Sequence, residues 1–164
     1  MNCSMRQNLY NMGGRRVGVT SLPPMGCLPA AVTLFGGGSN ACVARLNKDA
    51  VAFNRKMLAA AQTLKKSHSD LKLVVFDIYN PLLNLIDHPG NSAIEVMWLQ
   101  GFFEARKACC GTGTIETSLL CNARSAGTCS NATEYVFWDS FHPSEAANKV
   151  LADALLLQGI ELIS

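Results

Sequence analysis

The strongest constraint on the fold is a strand–helix–strand pattern in the first half of the chain. Arg15-Arg16-Val17-Gly18-Val19-Thr20-Ser21-Leu22 is a short β-rich run stopped by Pro23-Pro24, because proline cannot donate to a sheet ladder. From about Ala41 to Lys66, the residues Val43, Leu46, Ala50, Phe53, Met57, Ala60 and Leu64 recur at helical spacing. That spacing draws one apolar stripe along a long helix. Leu71-Lys72-Leu73-Val74-Val75-Phe76-Asp77-Ile78-Tyr79 is then nearly continuously apolar, the pattern of a strand covered on both faces. Two strands joined by a long helix form a βαβ unit, which requires a parallel sheet and a right-handed crossover. Open sheets of this kind take ligands beyond the carboxyl ends of their strands. The rule puts Ser21 to Gly26, Asp77 to Pro81 and a later loop carrying Asp139 at one rim.

The remaining punctuation is less regular. Met5 to Met12 reads as the tail of a helix ended by Gly13-Gly14, since glycine suits the position after a helix. The stretch from Pro23 to Asn40 holds three prolines and Gly36-Gly37-Gly38, and is expected to be irregular and exposed. A short helix is expected from Pro81 to Asp87 and another over Gly101 to Lys107. Cys109 to Cys129 reads as a glycine- and cysteine-rich loop.

At 164 residues the chain can form one domain that buries about two-thirds of its unfolded surface. A net charge of +2 gives no case for nucleic acid or an anionic membrane as partner. No apolar run reaches the roughly 18 residues a membrane span needs, and the residues after Met1 lack the apolar core of a signal peptide.

Seven cysteines, Cys3, Cys27, Cys42, Cys109, Cys110, Cys121 and Cys129, show no Cys-x-x-Cys spacing for zinc or redox work. With sequons at Asn2 and Asn131, they favour an oxidising compartment and structural disulfides. Six of the seven are expected to pair, with Cys3 the spare. Cys27–Cys42 is the one pair proposed, closing the loop between strand and helix; the other partners stay open. A secreted type of chain without a signal peptide is a contradiction, and the expectation is that an N-terminal part of the protein is absent.

Chemistry concentrates in Tyr135-Val136-Phe137-Trp138-Asp139-Ser140-Phe141-His142-Pro143-Ser144-Glu145-Ala146-Ala147. Pro143 in a first turn with Glu145 after it announces a helix. Ala147, Val150, Leu151, Ala154 and Leu155 continue it at helical spacing, with Gly159 at its end. His142 therefore sits at or beside a helix N-terminus, behind a tight turn carrying Asp139. A helix N-terminus disfavours imidazolium, while a nearby carboxylate favours it and can hold one ring tautomer. That balance suits a general base. Spacing alone favours the plainer reading, an Asp turn and a surface histidine capping a helix.

The neighbouring residues separate the two readings. Trp138-Asp139-Ser140-Phe141-His142-Pro143-Ser144-Glu145-Ala146 resembles the C-terminal Asp-x-x-His block of plant GDSL esterase/lipases, within the SGNH hydrolases. Leu22-Pro23-Pro24-Met25-Gly26-Cys27-Leu28-Pro29, Asn47-Lys48-Asp49-Ala50, Phe76-Asp77-Ile78-Tyr79-Asn80-Pro81-Leu82-Leu83 and Ala108-Cys109-Cys110-Gly111-Thr112-Gly113 resemble further stretches of the same enzymes, in the same order. The resemblance implies a three-layer α/β/α sandwich with a parallel sheet, SGNH or flavodoxin-like, incomplete on its N-terminal side. Residues 1–164 would be the C-terminal part of one GDSL/SGNH hydrolase domain. It also implies a secreted serine ester hydrolase of small-molecule or lipid esters, using a Ser-His-Asp triad and no cofactor or metal. By the resemblance His142 is the base and Asp139 its orienter. The family's Gly-Asp-Ser-Leu, glycine and Gly-x-Asn-Asp blocks have no matching positions here. Ala93-Ile94-Glu95-Val96-Met97-Trp98-Leu99-Gln100 reads as an extra segment before Gly101-Phe102-Phe103-Glu104. The rival reading is a catalytically inactive fragment or a binding protein.

Other candidates have plainer explanations. Ser21 and Ser140 lie in no Gly-x-Ser-x-Gly or Gly-Asp-Ser elbow. Cys109 or Cys110 could serve as a thiolate, but structural disulfides are preferred. Asp77 is expected to satisfy the backbone donors of the next turn. His68 and His88 read as solvated, and Asp87 with His88 lacks a third metal ligand.

Overall fold

The computed structural model describes residues 8–91, 101–122 and 124–164. The segment 93–100, Cys3 and the sequon at Asn2 lie outside them. Residues 8–11 are helical and the chain leaves them through Gly13 at φ +96°, a conformation open to glycine at little cost.

Strand β1 (Arg16–Thr20) pairs in parallel with β2 (Lys72–Phe76), in the register Arg16 to Lys72 through Thr20 to Phe76. The crossover contains the long helix α2 (Ala44–Ser67), which packs against β2. Of the stripe read from the sequence, Ala50, Met57 and Leu64 are buried, but Ala61 is buried where the stripe has Ala60, and Leu64 and Ala61 join Leu71 and Leu73 in one apolar cluster. In β2 the adjacent residues Leu73 and Val74 are both buried. Successive strand residues point to opposite faces, so the middle of β2 is covered on both.

The stretch between β1 and α2 keeps its expected irregular, exposed form over Gly37 to Asn40 but departs from it before that. It contains a 3₁₀ turn (Met25–Cys27) and the helix α1 (Pro29–Phe35), in which Pro29, Ala30, Ala31 and Val32 are buried. Pro29 stands in the first turn, where its missing N–H costs nothing. The apolar run behind it is buried against β3 and the main core. The disulfide Cys27–Cys42 closes this stretch as proposed.

After β2 the helix α3 (Tyr79–Asp87) buries Leu82, Leu85 and Ile86. Over Gly101 to Lys107 the expected helix is replaced by strand β3 (Glu104–Ala108), parallel to β4 (Tyr135–Phe137). Glu, Ala, Arg and Lys favour helix locally. Five such residues gain more from a ladder and from burying Ala105 and Ala108 than from an uncapped single turn. Helix α4 (Glu145–Gln158) packs on α3, β2 and β4, and the short α5 (Ile160–Ile163) follows Gly159 against β1 and β2. Gly159 ends α4 as expected, its N–H donating to Leu155 O and Leu156 O, and also starts α5. The main core gathers Ala31, Leu82, Ile86, Phe102, Val136, Phe137, Ala147 and Leu151 from α1, α3, β4, α4 and the segment before β3. Helices and parallel strand pairs make an α/β fold.

Candidate active site

Strand β4 ends inside the core, with Val136 and Phe137 fully buried. The chain must therefore turn at once to reach the surface. Trp138 N–H donates to His142 O at 2.9 Å and Ser144 N–H to Val136 O at 2.8 Å, closing residues 139–141 into a tight turn. Ser144, not Pro143, caps α4: its hydroxyl accepts from Ala147 N–H at 3.1 Å. Pro143 instead bridges to Phe137 in the short ladder. His142 is thus two residues ahead of the cap, beside the helix rather than in it.

Inside that turn Asp139 is 2% exposed. Its Oδ1 accepts from the backbone N–H groups of Phe141 at 2.9 Å and His142 at 2.7 Å. Its Oδ2 accepts from Ser118 N–H at 3.2 Å and from the Thr117 hydroxyl at 3.1 Å. Both oxygens also face His142 Nδ1, at 2.9 and 2.8 Å. Burial pushes the Asp139 carboxyl up, but the bonds from the His142 ring and from the N–H groups of Phe141, His142 and Ser118 outweigh it and hold the pKa below its ordinary value. The His142 side chain is 65% exposed. A buried carboxylate on Nδ1 selects the tautomer with hydrogen there, leaving Nε2 as a lone pair. This is the geometry a base and its orienter require.

The partners on Oδ2 come from a loop that sequence periodicity does not describe. Cys109–Cys129 and Cys110–Cys121 tie it to itself. Cys109 N–H and Cys110 N–H donate to Phe137 O and Trp138 O at 3.0 and 2.9 Å, and Ser140 N–H donates to Glu116 O at 3.0 Å. Within the loop, Glu116 is held down to about 2 by bonds from the Thr112 N–H and hydroxyl and from Ile115 N–H. Nothing in the spacing of Thr117 and Ser118 marks them; only their enclosure between cysteines hints that the loop is pinned.

The other sequence candidates resolve differently. Ser140 is fully buried, and Ser21 accepts from Ile78 N–H at 3.0 Å with its hydroxyl. Among the described residues no serine hydroxyl is bonded to His142. Cys109 and Cys110 are in disulfides, and so are Cys27, Cys42, Cys121 and Cys129. Asp77 accepts from Tyr79 N–H and Asn80 N–H at 2.9 and 3.2 Å, so it organises the turn into α3. Asp87 pairs with Arg106 at 3.1 Å, and the His68 ring lies 4.0 Å from that of Tyr10. Ser21 and Asp77 stand together at the carboxyl ends of β1 and β2. The link from this side to the Asp139 turn runs through α1, where Ala30 N–H donates to Ser140 O at 3.2 Å. Among the described residues no helix is long and apolar enough to cross a membrane.

The fold and the turn after β4 define an α/β protein carrying a buried acid on the Nδ1 side of an exposed histidine. The chain belongs to the GDSL-like Lipase/Acylhydrolase family, which it matches over residues 4–155. Among its relatives in Arabidopsis thaliana, GDSL esterase/lipase At5g03820 is 64% identical, over 96% of this chain and 43% of its own length. GDSL esterase/lipase At5g03810 is 65% identical over the same shares. GDSL esterase/lipase APG is 61% identical over 96% of this chain and 42% of its own length. The chain therefore spans about two-fifths of the length of the curated relatives it matches.

Proposed function

We propose that this chain is the C-terminal part of a GDSL-type ester hydrolase domain, in which His142 is the general base and Asp139 orients it. The observation that carries the reading is the Asp139–His142 pair itself, with the acid buried, both its oxygens on Nδ1 and the ring open to solvent. Family membership and the names of the relatives supply the reaction class.

In this reading Nε2 takes the proton of a serine hydroxyl as the oxygen attacks an ester carbonyl. The imidazolium formed is stabilised by Asp139 and returns the proton to the departing alcohol. Water repeats the sequence on the acyl-enzyme, and no cofactor is required. The serine would come from the part of the domain that the relatives have beyond the matched region. Substrates would be small-molecule or lipid esters. The three disulfides among the described residues suit a secreted protein.

A chimera joining the preceding part of the APG relative to this chain tests the proposal. It should hydrolyse p-nitrophenyl esters, and His142→Ala in it should lower kcat at least about a thousandfold. Turnover that survives the substitution refutes the role of His142. A fluorophosphonate probe on the 164-residue chain should leave it unlabelled; labelling would place the nucleophile among its own serines.

A further inference from the structure

The Asp139 carboxylate is pinned from two independent directions. Oδ1 is held by the backbone of its own turn, through Phe141 N–H and His142 N–H. Any Asp in such a turn could make those bonds. Apart from His142 Nδ1, Oδ2 is held from a distance in sequence, by the Thr117 hydroxyl and Ser118 N–H, 22 and 21 residues away. With Oδ1 alone fixed, the carboxylate plane could still swing about that oxygen. It is the second anchor that keeps both oxygens facing Nδ1.

Several observations show that the anchor is built rather than incidental. Ser118 has φ +47°, left-handed backbone that a residue other than glycine adopts at a cost, and that residue's N–H is the one aimed at Oδ2. Cys110–Cys121 spans the two donors with a separation of only 11 residues. Bonds from Cys109 N–H to Phe137 O, from Cys110 N–H to Trp138 O and from Ser140 N–H to Glu116 O then stitch the same loop to residues 137, 138 and 140 of the site. Thr117 is half-buried, and its hydroxyl gives its proton to Oδ2.

We infer that Thr117 is a positioning residue: its hydroxyl, delivered by the disulfide-tied loop 109–129, fixes the Asp139 carboxylate so that His142 keeps its proton on Nδ1. The inference rests on the assignment of Asp139 and His142 as orienter and base, but its test reads the imidazole directly and needs no turnover.

The chain contains three histidines, so ¹⁵N-labelled protein gives a simple long-range ¹H–¹⁵N imidazole spectrum, recorded at a pH where the rings are neutral. In the wild type, His142 should be mainly the Nδ1–H tautomer. Thr117→Val keeps the shape and removes the donor, and should lower the His142 Nδ1–H to Nε2–H ratio about two- to tenfold, the range one hydrogen bond commands. Thr117→Ser should restore it, while the His68 and His88 signals stay in place in both variants, which shows that the fold is kept. A ratio in Thr117→Val that is unchanged or higher overturns the inference, and so does a failure of Thr117→Ser to restore it. If the wild-type ring is mainly Nε2–H, both this inference and the assignment of Asp139 as orienter fall. If the wild-type ring is Nδ1–H but the chimera does not turn over ester, only the proposed activity fails.

Discussion

Replacing Asp139 with Asn changes one atom's chemistry at the most heavily bonded side chain of the site. If the amide oxygen takes the place of Oδ1, it keeps the donors Phe141 N–H and His142 N–H. The NH₂ group then meets Ser118 N–H, donor against donor, in a place that is 2% exposed. Flipping the amide satisfies Ser118 but strands two backbone donors in its stead. A buried donor without an acceptor costs about 1–3 kcal/mol, and the loss of charge from the remaining bonds adds about 1 kcal/mol. The variant should be about 2–4 kcal/mol less stable at neutral pH, which at an m-value of about 2 kcal/mol/M moves the urea midpoint down by about 1–2 M. Its pH dependence follows from linkage. The folded Asp139 pKa is depressed below the ordinary value of 3.8. Its contribution to stability is therefore complete above the unfolded value and is lost as pH falls through the folded one. The gap between wild type and Asp139→Asn should thus shrink as pH falls below 3.8 and through the depressed folded value, because protonated Asp139 has lost the same charge. Glu116 and Asp70 also titrate low, but they do so in both proteins and cancel in the difference. Urea unfolding with the disulfides intact, across that pH range, measures the gap. A difference below about 1 kcal/mol at neutral pH, or one that persists unchanged in acid, would refute the account of how Asp139 is held.

Two further outcomes concern packing rather than ionisation. Ser140 Oγ is, among the described residues, the one buried side-chain polar atom with no hydrogen-bond partner. Ser140→Ala should leave stability unchanged or raise it by up to about 1 kcal/mol, and a loss of more than about 1 kcal/mol in urea unfolding would show a hidden partner. Gly26 lies so close to α2 that an added Cβ would strike the backbone oxygen of Val43 and stand 3.0 Å from Asn47 Oδ1, the acceptor of Gly26 N–H. Gly26→Ala should cost about 1–3 kcal/mol by overpacking against backbone that cannot yield, and a melting temperature equal to the wild type's would contradict this.

The βαβ unit was legible because its signals are local and periodic. Valines in β1, the stripe of α2 and the apolar run of β2 each state their own structure, and the parallel pairing follows from the length of the connection. Asp139 and His142 were legible for a related reason. They stand three residues apart ahead of a helix, so the turn that joins them is written in a single stretch, and even the bonds to Oδ1 arise within it. Cysteine composition pointed to disulfides, and the places of Cys27 and Cys42 on either side of the loop between β1 and α2 suggested that one pair.

Tertiary structure decided what local propensity could not. Residues 104–108 have helix-forming side chains and became a strand because β4 offered a ladder and the core a place for Ala105 and Ala108. Pro29 to Phe35 became a helix with Pro29 to Val32 buried because β3 and the core received that part of it. The second anchor of Asp139 belongs with these. Thr117 and Ser118 carry no pattern of their own, and the hydrogen bonds they give exist only after two disulfides and the backbone of residues 137–140 have folded the loop onto the turn. Sequence set Asp139 and His142 in one turn; the fold supplied what holds the carboxylate still, because that contact joins residues more than twenty positions apart.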